Sequence, residues 1–205
     1  SREGARGQEF NAWGVPPNGP DHVLDMLYTR MLSGPMDYTA GAFDLRPSEQ
    51  PPVAEDLGRN DPRSRIEHTL AKELSLFVAI YSPIQMVMDL ERNYEVRPDA
   101  FQFIKDVPTD WEQSIALQGE VGDYAVIVRK DRNSEDWYLA GLTDATARDL
   151  TVELSFLEEG EYEAQIYRDG PMADYEYNPY DIIIEKRSVT SSDSLELPLG
   201  RSGGA

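Results

Sequence analysis

The sequence YTRMLSGPMDYTAGAFDL, from Tyr28 to Leu45, decides how the rest of the chain is interpreted. Gly34-Pro35 breaks the backbone and Gly41 allows a second break, so the stretch is not one regular helix or strand. A loop surrounded by water would not need so many apolar side chains. We therefore expect a half-buried loop that carries polar groups to a pocket. The alternative is a packed connection in which Asp37 and Thr39 bond to the local backbone.

Farther along the chain, the hydrophobic period changes from helical to alternating. Ile66 to Leu90 has helical spacing, with a break at Ser82-Pro83 and a second short helix beyond it. Alternation begins near Val107, and short strands separated by turn residues are typical of an antiparallel sandwich. The predicted strands are Tyr124–Val128, Trp137–Leu142, Asp149–Phe156, Gly160–Tyr167, Asp181–Lys186 and Ser194–Leu197.

Three stretches resemble glycoside hydrolase family 97, in the order in which that family has them. They are REGARGQEFNAWG at Arg2 to Gly14, YTRMLSGPMDYTAGAF from Tyr28, and VPTDWEQSIALQGEVGDYAVIVRK at Val107 to Lys130. Members of that family act mainly on α-glucosides and α-galactosides. The chain departs from the usual pattern by small changes, such as Tyr28 for Phe and Ala40 for Pro, and none of them removes a charged group.

The resemblance implies a fold of class α/β plus all-β. Residues 1–98 would be the last portion of a catalytic (β/α)8 barrel, and residues 99–205 an antiparallel β-sandwich. Periodicity alone indicates only a helical part followed by strands. Because a motif begins almost at once and Met is absent from the start, we expect a C-terminal piece whose partner is the upstream part of its own barrel.

Composition restricts the class of function. The chain has 205 residues, a formal net charge of −19 and no cysteine. This acidity argues against binding to nucleic acid or to an anionic membrane surface, and the lack of cysteine excludes disulfides and thiol catalysis. No apolar run reaches the roughly 20 residues of a membrane span. No signal peptide is visible, and the resemblance implies a bacterial protein that is periplasmic or secreted.

Glu3 and Glu9 lie in a glycine-rich stretch with two arginines. Glycoside cleavage needs one carboxylic acid and a second carboxylate, and calcium needs several carboxylate oxygens. Such a pair could serve either chemistry, or it could form salt bridges with Arg2 and Arg6. The resemblance implies that Glu9 is the general acid and a calcium ligand, and that Glu3 is a second ligand.

Three further residues are candidates for substrate contact: Asp37 in the central loop, His22 in the loop that precedes it, and Trp13 by ring stacking. The second catalytic carboxylate is expected upstream of Ser1, which leaves Asp37 a structural or substrate-contact role. His68, at the start of the predicted helix, is expected to be a surface or capping group.

The sequence thus predicts the C-terminal fragment of a calcium-dependent α-glycosidase, either an α-glucosidase or an α-galactosidase. It would act on an oligosaccharide or glycoside by two-carboxylate chemistry, and the fragment alone should be inactive because its barrel cannot close. The alternative is a non-catalytic carbohydrate-binding or structural β-sandwich module. That alternative accounts for the strands but not for the REGARGQE and GPMDYTAG stretches.

Overall fold

A computed structural model describes residues 7–8, 18–46 and 65–205. Its first part contains helices and two short strands: α1 (His22–Tyr28), a 3-10 helix (Arg30–Ser33), β1 (Thr39–Ala40), α2 (Leu70–Ala79), β2 (Met86–Val87), α3 (Glu91–Glu95) and α4 (Pro98–Asp106). Its second part contains seven strands: β3 (Trp111–Glu120), β4 (Tyr124–Asp131), β5 (Trp137–Thr143), β6 (Arg148–Glu153), β7 (Glu161–Asp169), β8 (Ile182–Thr190) and β9 (Ser194–Leu199).

Helix α2 lies at the centre of the molecule. Thr69 caps it, because the Thr69 side chain accepts a hydrogen bond from the backbone N–H of Lys72 at 3.2 Å. Its sequence, LAKELSLFVA, is apolar on every side except at Lys72, Glu73 and Ser75, and every residue of the helix is buried. A helix that is apolar all round must be covered on more than one face. It accordingly packs against β1 on one side and against β4, β5 and β7 on the other.

The segment after α2 is extended, so the predicted second helix from Pro83 to Leu90 is wrong. β2 pairs in parallel with β1, with Thr39 opposite Met86, and the N–H of Met88 continues the pairing to the carbonyl of Ala40 at 3.1 Å. Ser82 caps no helix, since its hydroxyl bonds to the backbone of Ile84. Pairing with β1 satisfies the backbone that a helix would otherwise have satisfied internally.

The antiparallel β domain is confirmed. The six strands predicted from alternation are β4 to β9, each shifted at its ends by a few residues. Strands β3, β4 and β5 form one antiparallel sheet, β6 pairs with β9, and β7 pairs with β8. β3 was not among the predicted strands. Most of its residues are exposed or half-buried, which weakens the alternation that would have marked it.

The helical part and the sandwich share a hydrophobic core. Leu76 and Phe77 of α2 belong to the same buried cluster as Ala125, Ala140 and Leu142 of the sandwich. A second cluster, formed by β6 and β9 with residues of neighbouring strands, fills the interior of the sandwich itself. The two parts therefore meet across a buried apolar contact.

Arg129 of β4 reinforces this contact at the end of α2. Its guanidinium donates hydrogen bonds to the carbonyl oxygens of Val78 at 2.5 Å and Ala79 at 3.0 Å. A cation at this place satisfies carbonyl groups that a helix leaves without partners at its C-terminus. Within the described ranges, no helix is long and apolar enough to cross a membrane.

Candidate functional site

The backbone amides of the loop that follows β1 donate to side chains rather than to backbone carbonyl groups. The amides of Gly41 and Ala42 donate to Oε2 of Glu73 at 3.0 and 3.1 Å. The next two amides, at positions 43 and 44, donate to Oδ2 of Asp89 at 2.7 and 2.6 Å. The amide of Leu45 then donates to the hydroxyl of Tyr180 at 2.9 Å. Five successive amides are therefore fixed by polar side chains from three other segments.

The other oxygen of Glu73 reaches toward the start of the chain. Oε1 of Glu73 accepts from the Nε2 of Gln8 at 2.5 Å and contacts Nδ1 of His68 at 2.5 Å. Gln8 and Glu73 are 0% exposed and His68 is 2% exposed. Glu73 thus joins Gln8, His68 and the loop after β1 within the interior of the molecule.

His68 is neutral near pH 7 and is a hydrogen-bond donor to Glu73. Burial, and next the charge of Lys72, lower the pKa of His68 to about 4, although its bond to Glu73 opposes that change. A neutral imidazole can donate to the carboxylate only if Nδ1 carries its proton. Gln8 Nε2 lies 3.2 Å from this Nδ1 because both donors converge on the same oxygen.

Lys72, beside Glu73 on α2, faces the sandwich. Its ammonium donates to the carbonyl oxygens of Pro20 and Thr143 at 2.8 Å each and to the hydroxyl of Ser202 at 3.1 Å. Burial lowers the pKa of Lys72 to about 7, and the charges of Glu73 and nearby aspartates oppose that shift. The three oxygens satisfy all three donors of the ammonium, so a buried lysine is tolerated here.

Asp169 of β7 is a buried carboxylate on the sandwich side, and its charge acts on Lys72. Its Oδ2 accepts from the backbone N–H of Gly200 at 2.8 Å and of Gly204 at 3.0 Å. Its Oδ1 has no hydrogen-bond partner in the part of the chain that the structure describes. Burial raises the pKa of Asp169 to about 6, against the opposing effect of its hydrogen bonds and of Lys72.

Asp37, predicted to contact substrate, is half-buried and precedes β1 in an extended segment. Met36, Tyr38 and Ala40, which alternate with it, are buried in the core that includes α2. Side chains alternate between the two faces of an extended chain. Asp37 and Thr39 therefore lie on the face opposite to α2.

His22, the second of these predicted residues, begins α1 and is half-buried. A charge on His22 would lower the pKa of His68, so the two rings are within electrostatic range. Nearby, the side-chain amide of Asn18 donates to the carbonyl of Gly7 at 2.9 Å. The structure therefore brings His22, Gly7 and the Glu73 cluster into one neighbourhood.

Glu3, Glu9 and Trp13 lie outside the described residues. The described residues nearest to Glu9 are Gly7 and Gln8, and both are buried. Across residues 7–8, 18–46 and 65–205, no three His, Asp or Glu side chains come together in a way that could hold a metal ion.

The interpretation of His68 as a surface or capping group is wrong, because His68 is buried and Thr69 is the cap. Glu73 and Lys72 were not predicted as part of a site. A signal for them existed, since both interrupt a helix that is otherwise apolar on all sides. Charged residues at such positions are buried, and a buried charge requires specific partners.

The sandwich contains a groove of about 370 Å³, which is separate from the predicted site residues. It lies between β5 and β7 and is lined mainly by apolar and aromatic side chains, among them Trp137, Phe156, Tyr162 and Leu197. It holds neither Asp37 nor His22. The polar cluster around Glu73, not this groove, is the candidate functional site.

Comparisons with known proteins agree with the sequence resemblance. The family description "Glycosyl-hydrolase 97 C-terminal, oligomerisation" matches residues 110–205. The retaining alpha-galactosidase of Bacteroides thetaiotaomicron is 33% identical over 207 residues, which cover 98% of this chain and 29% of that protein. The probable retaining alpha-galactosidase of Streptomyces bingchenggensis is 29% identical over 202 residues, or 98% of this chain and 27% of that protein.

Solved structures give the same result. A glycoside hydrolase family 97 enzyme from Pseudoalteromonas sp. strain K8, in complex with acarbose, has a TM-score of 0.89 and 55% sequence identity. It is matched over 99% of this chain and 30% of its own length. A single-substitution variant of such an enzyme from the same strain, in complex with panose, has a TM-score of 0.89 and 54% identity, over 99% of this chain and 30% of its own.

The relatives that this chain matches are glycoside hydrolases. As the sequence resemblance predicted, the chain matches the C-terminal region of glycoside hydrolase family 97 proteins. It spans about 30% of the length of the structures it matches.

Proposed function

We propose that this chain supplies the end of the catalytic barrel and the C-terminal sandwich of an α-glycoside hydrolase, either an α-glucosidase or an α-galactosidase. One observation carries the proposal. Glu73 joins Gln8, the residue before Glu9, to the loop after β1 through buried hydrogen bonds. The first two of the three motifs of the family resemblance thus meet at a single carboxylate.

The assignment of residues 1–98 to a barrel is supported by β1, α2 and β2. The two strands are parallel and neighbouring, and α2 connects them. Parallel strands joined by a helix are the repeating unit of a (β/α)8 barrel, whose active sites lie at the carboxyl ends of the strands. The loop held by Glu73 and Asp89 follows the carboxyl end of β1, and Asp89 itself follows β2.

In the proposed reaction, Glu9 protonates the oxygen of the leaving group as the bond to the anomeric carbon breaks. A second carboxylate, upstream of Ser1, attacks that carbon, and the resulting glycosyl ester is hydrolysed by water that gives its proton to Glu9. This is the retaining route, which uses two carboxyl groups about 5 Å apart. It is supported by the retaining alpha-galactosidase to which this chain is similar.

We propose Glu3 and Glu9 as ligands of a calcium ion. Carboxylate oxygens are the ligands that Ca²⁺ prefers, and bound calcium would supply positive charge near the substrate. The chemistry of the two side chains fits this role. If they bind calcium in the complete protein, chelation lowers its melting temperature, because a ligand of the native state stabilises it. Unchanged melting after verified removal of metal would exclude the ion.

The substrate contacts that we propose are Asp37, His22 and Trp13. For Asp37 the support is its place on the face opposite to α2, which in a closed barrel is the interior. For His22 the support is its proximity to the cluster around Glu73. Trp13 is proposed from the sequence alone, as a ring that stacks on a sugar.

The partners proposed for the complete protein are an oligosaccharide or glycoside substrate and the upstream strands of its own barrel. The family description of residues 110–205 includes oligomerisation, which supports a role of the sandwich in association between subunits. The proposed location is periplasmic or secreted, as the resemblance implies.

The second candidate function is a non-catalytic carbohydrate-binding or structural β-sandwich module. The observation that favours it is the groove between β5 and β7, with Trp137 and Phe156 in its lining. This second function does not explain the buried contact between Gln8 and Glu73. Barrel strands with further carboxylates in the sequence upstream of Ser1 would exclude it.

The decisive experiment is Glu9→Gln in the complete enzyme, assayed in excess calcium. Protonation matters most when the leaving group is a sugar alkoxide and least when it is a nitrophenolate. General acid assistance contributes about 10²–10⁴-fold, so we expect a loss of that order on natural glycosides and a far smaller loss on aryl glycosides. Equal losses on both substrates in a folded, calcium-loaded variant would remove Glu9 from this role.

A further inference from the structure

Two carboxylates, the buried Glu73 and the half-buried Asp89, hold the loop after β1, but only Glu73 also binds a residue of another family motif. Asp89 binds the amides of Phe43 and Asp44, and its second oxygen accepts from Leu90 and Asn93, close to it in sequence. These local bonds fix the start of α3.

Glu73 differs in where its second oxygen binds. One oxygen accepts hydrogen bonds from the amides of Gly41 and Ala42. The other accepts hydrogen bonds from Gln8 and His68. Gln8 is separated from Glu73 by 65 positions in the sequence. The bond between them therefore fixes the segment at Gln8 relative to the loop after β1, whereas Asp89 joins that loop only to the start of α3.

Every hydrogen-bond acceptor position of the Glu73 carboxylate is occupied. A carboxylate offers about four lone-pair positions, and four donors bind this one. The side chain is fully buried, so water cannot replace a lost partner. Any shift of Glu73 would therefore break several hydrogen bonds at once, which makes it a rigid point of reference.

We propose that Glu73 is a positioning residue, which sets the distance between the backbone at Gln8–Glu9 and the loop after β1. The inference rests on the proposed role of Glu9 as general acid, and it adds the group that places that acid. Gln8 and Glu9 are consecutive, so a displacement of Gln8 moves the carboxyl group of Glu9. Misplacement of a catalytic group by about 1 Å can lower a rate about 10²-fold.

The contact can be removed from either side. In Gln8→Met, the thioether has a similar length but no donor, so Glu73 keeps its bonds to the loop and to His68. In Glu73→Gln, the side-chain oxygen can still accept hydrogen bonds. The new NH2 group is a donor, however, and it faces groups that also donate. Asp89→Asn is the matched control, because it weakens the same loop without touching Gln8.

The experiment compares these variants in the complete, calcium-loaded enzyme on natural and aryl glycosides. We expect kcat on natural glycosides to fall about 10–100-fold in Gln8→Met and Glu73→Gln, as is usual for groups that orient a catalytic residue. We expect a much smaller fall on aryl glycosides. Asp89→Asn should lose stability, with equal effects on the two substrates.

A double variant tests whether Glu73 acts through Gln8. If it does, Gln8→Met combined with Glu73→Gln should lose little more than either change alone, since coupled residues are not additive. Equal losses on both substrates in folded Gln8→Met would overturn the proposal, and so would multiplicative losses in the double variant. Glu9→Gln is assayed in parallel. If Glu9→Gln distinguishes the substrates and Gln8→Met does not, only the positioning role fails, whereas failure of Glu9→Gln removes the proposed function itself.

Discussion

The helical part and the sandwich bury different kinds of side chain. The helical part buries Gln8, His68, Lys72 and Glu73 completely or nearly so. The sandwich fills its own interior with apolar side chains, among them Val126, Val152, Leu154, Leu195 and Leu197. Its buried polar residues lie instead where it meets the helical part.

These polar residues of the sandwich all make contact across the boundary. Arg129 bonds to the end of α2, and the carbonyl of Thr143 accepts from Lys72. The Ser202 hydroxyl donates to the carbonyl of Glu67, and the charge of Asp169 raises the pKa of Lys72 across the boundary. An apolar interior needs only burial to be stable, whereas buried charge must be matched group by group. The difference shows that specific polar matching is concentrated at the site and the boundary.

The largest test of this comparison is Lys72→Met. The change leaves the carbonyls of Pro20 and Thr143 and the hydroxyl of Ser202 without their donor, so we expect the free energy of unfolding to fall by roughly 3–5 kcal/mol. Urea denaturation of the complete protein measures it. Lys186→Met is the control from the sandwich surface, where the Lys186 side chain is 56% exposed and binds Glu163, and little change is expected. Comparable losses in both variants would refute the distinction.

The second test uses the pH dependence that His68 contributes. The pKa of His68 is lowered in the folded state from 6.5 to about 4, so the unfolded chain binds a proton first as pH falls. The contribution of His68 to the free energy of unfolding is complete above pH 6.5 and is lost as the pH falls toward 4. The shift corresponds to at most about 3 kcal/mol, at 1.36 kcal/mol for each pKa unit.

His68→Gln removes this titration, so its stability should fall less steeply than that of the parent between pH 6.5 and 4. Denaturation at several pH values measures the two slopes. The groups that face His68 are Glu73, Lys72 and His22, and all of them remain in the variant. Parallel curves for parent and variant would show that His68 does not contribute this dependence.

The smallest test compares one glycine from each part. Gly41 has a φ of +76°, and a Cβ there would lie 2.9 Å from the ring of Phe77. Gly41→Ala should therefore cost about 1–3 kcal/mol, from strain together with the clash. Gly141 of β5 has an ordinary φ, and its Cβ would meet the flexible ends of Leu197 at 3.2 Å and Leu199 at 3.8 Å. Thermal melting should show a smaller loss for Gly141→Ala, and the reverse order would be inconsistent with a rigid loop at Gly41.

The sequence by itself determined the features that repeat over short distances. Strands β4 to β9 followed from alternation, because a sheet with one covered face imposes a period of two on its residues. α2 followed from its apolar spacing, although the prediction ran too long. The family followed from three motifs, whose residues can be read without knowing where they lie.

Only the tertiary structure decided the features that depend on distant partners. Met86 and Val87 form a strand because they pair with β1. No local sequence pattern indicates that this partner is available. His68 is buried beside Gln8 and Glu73, which lie 60 and 5 positions away in the sequence. The bond between Gln8 and Glu73 spans 65 positions, and a contact at that separation leaves no periodic trace in the sequence, since it depends on how the packed elements bring the two side chains together.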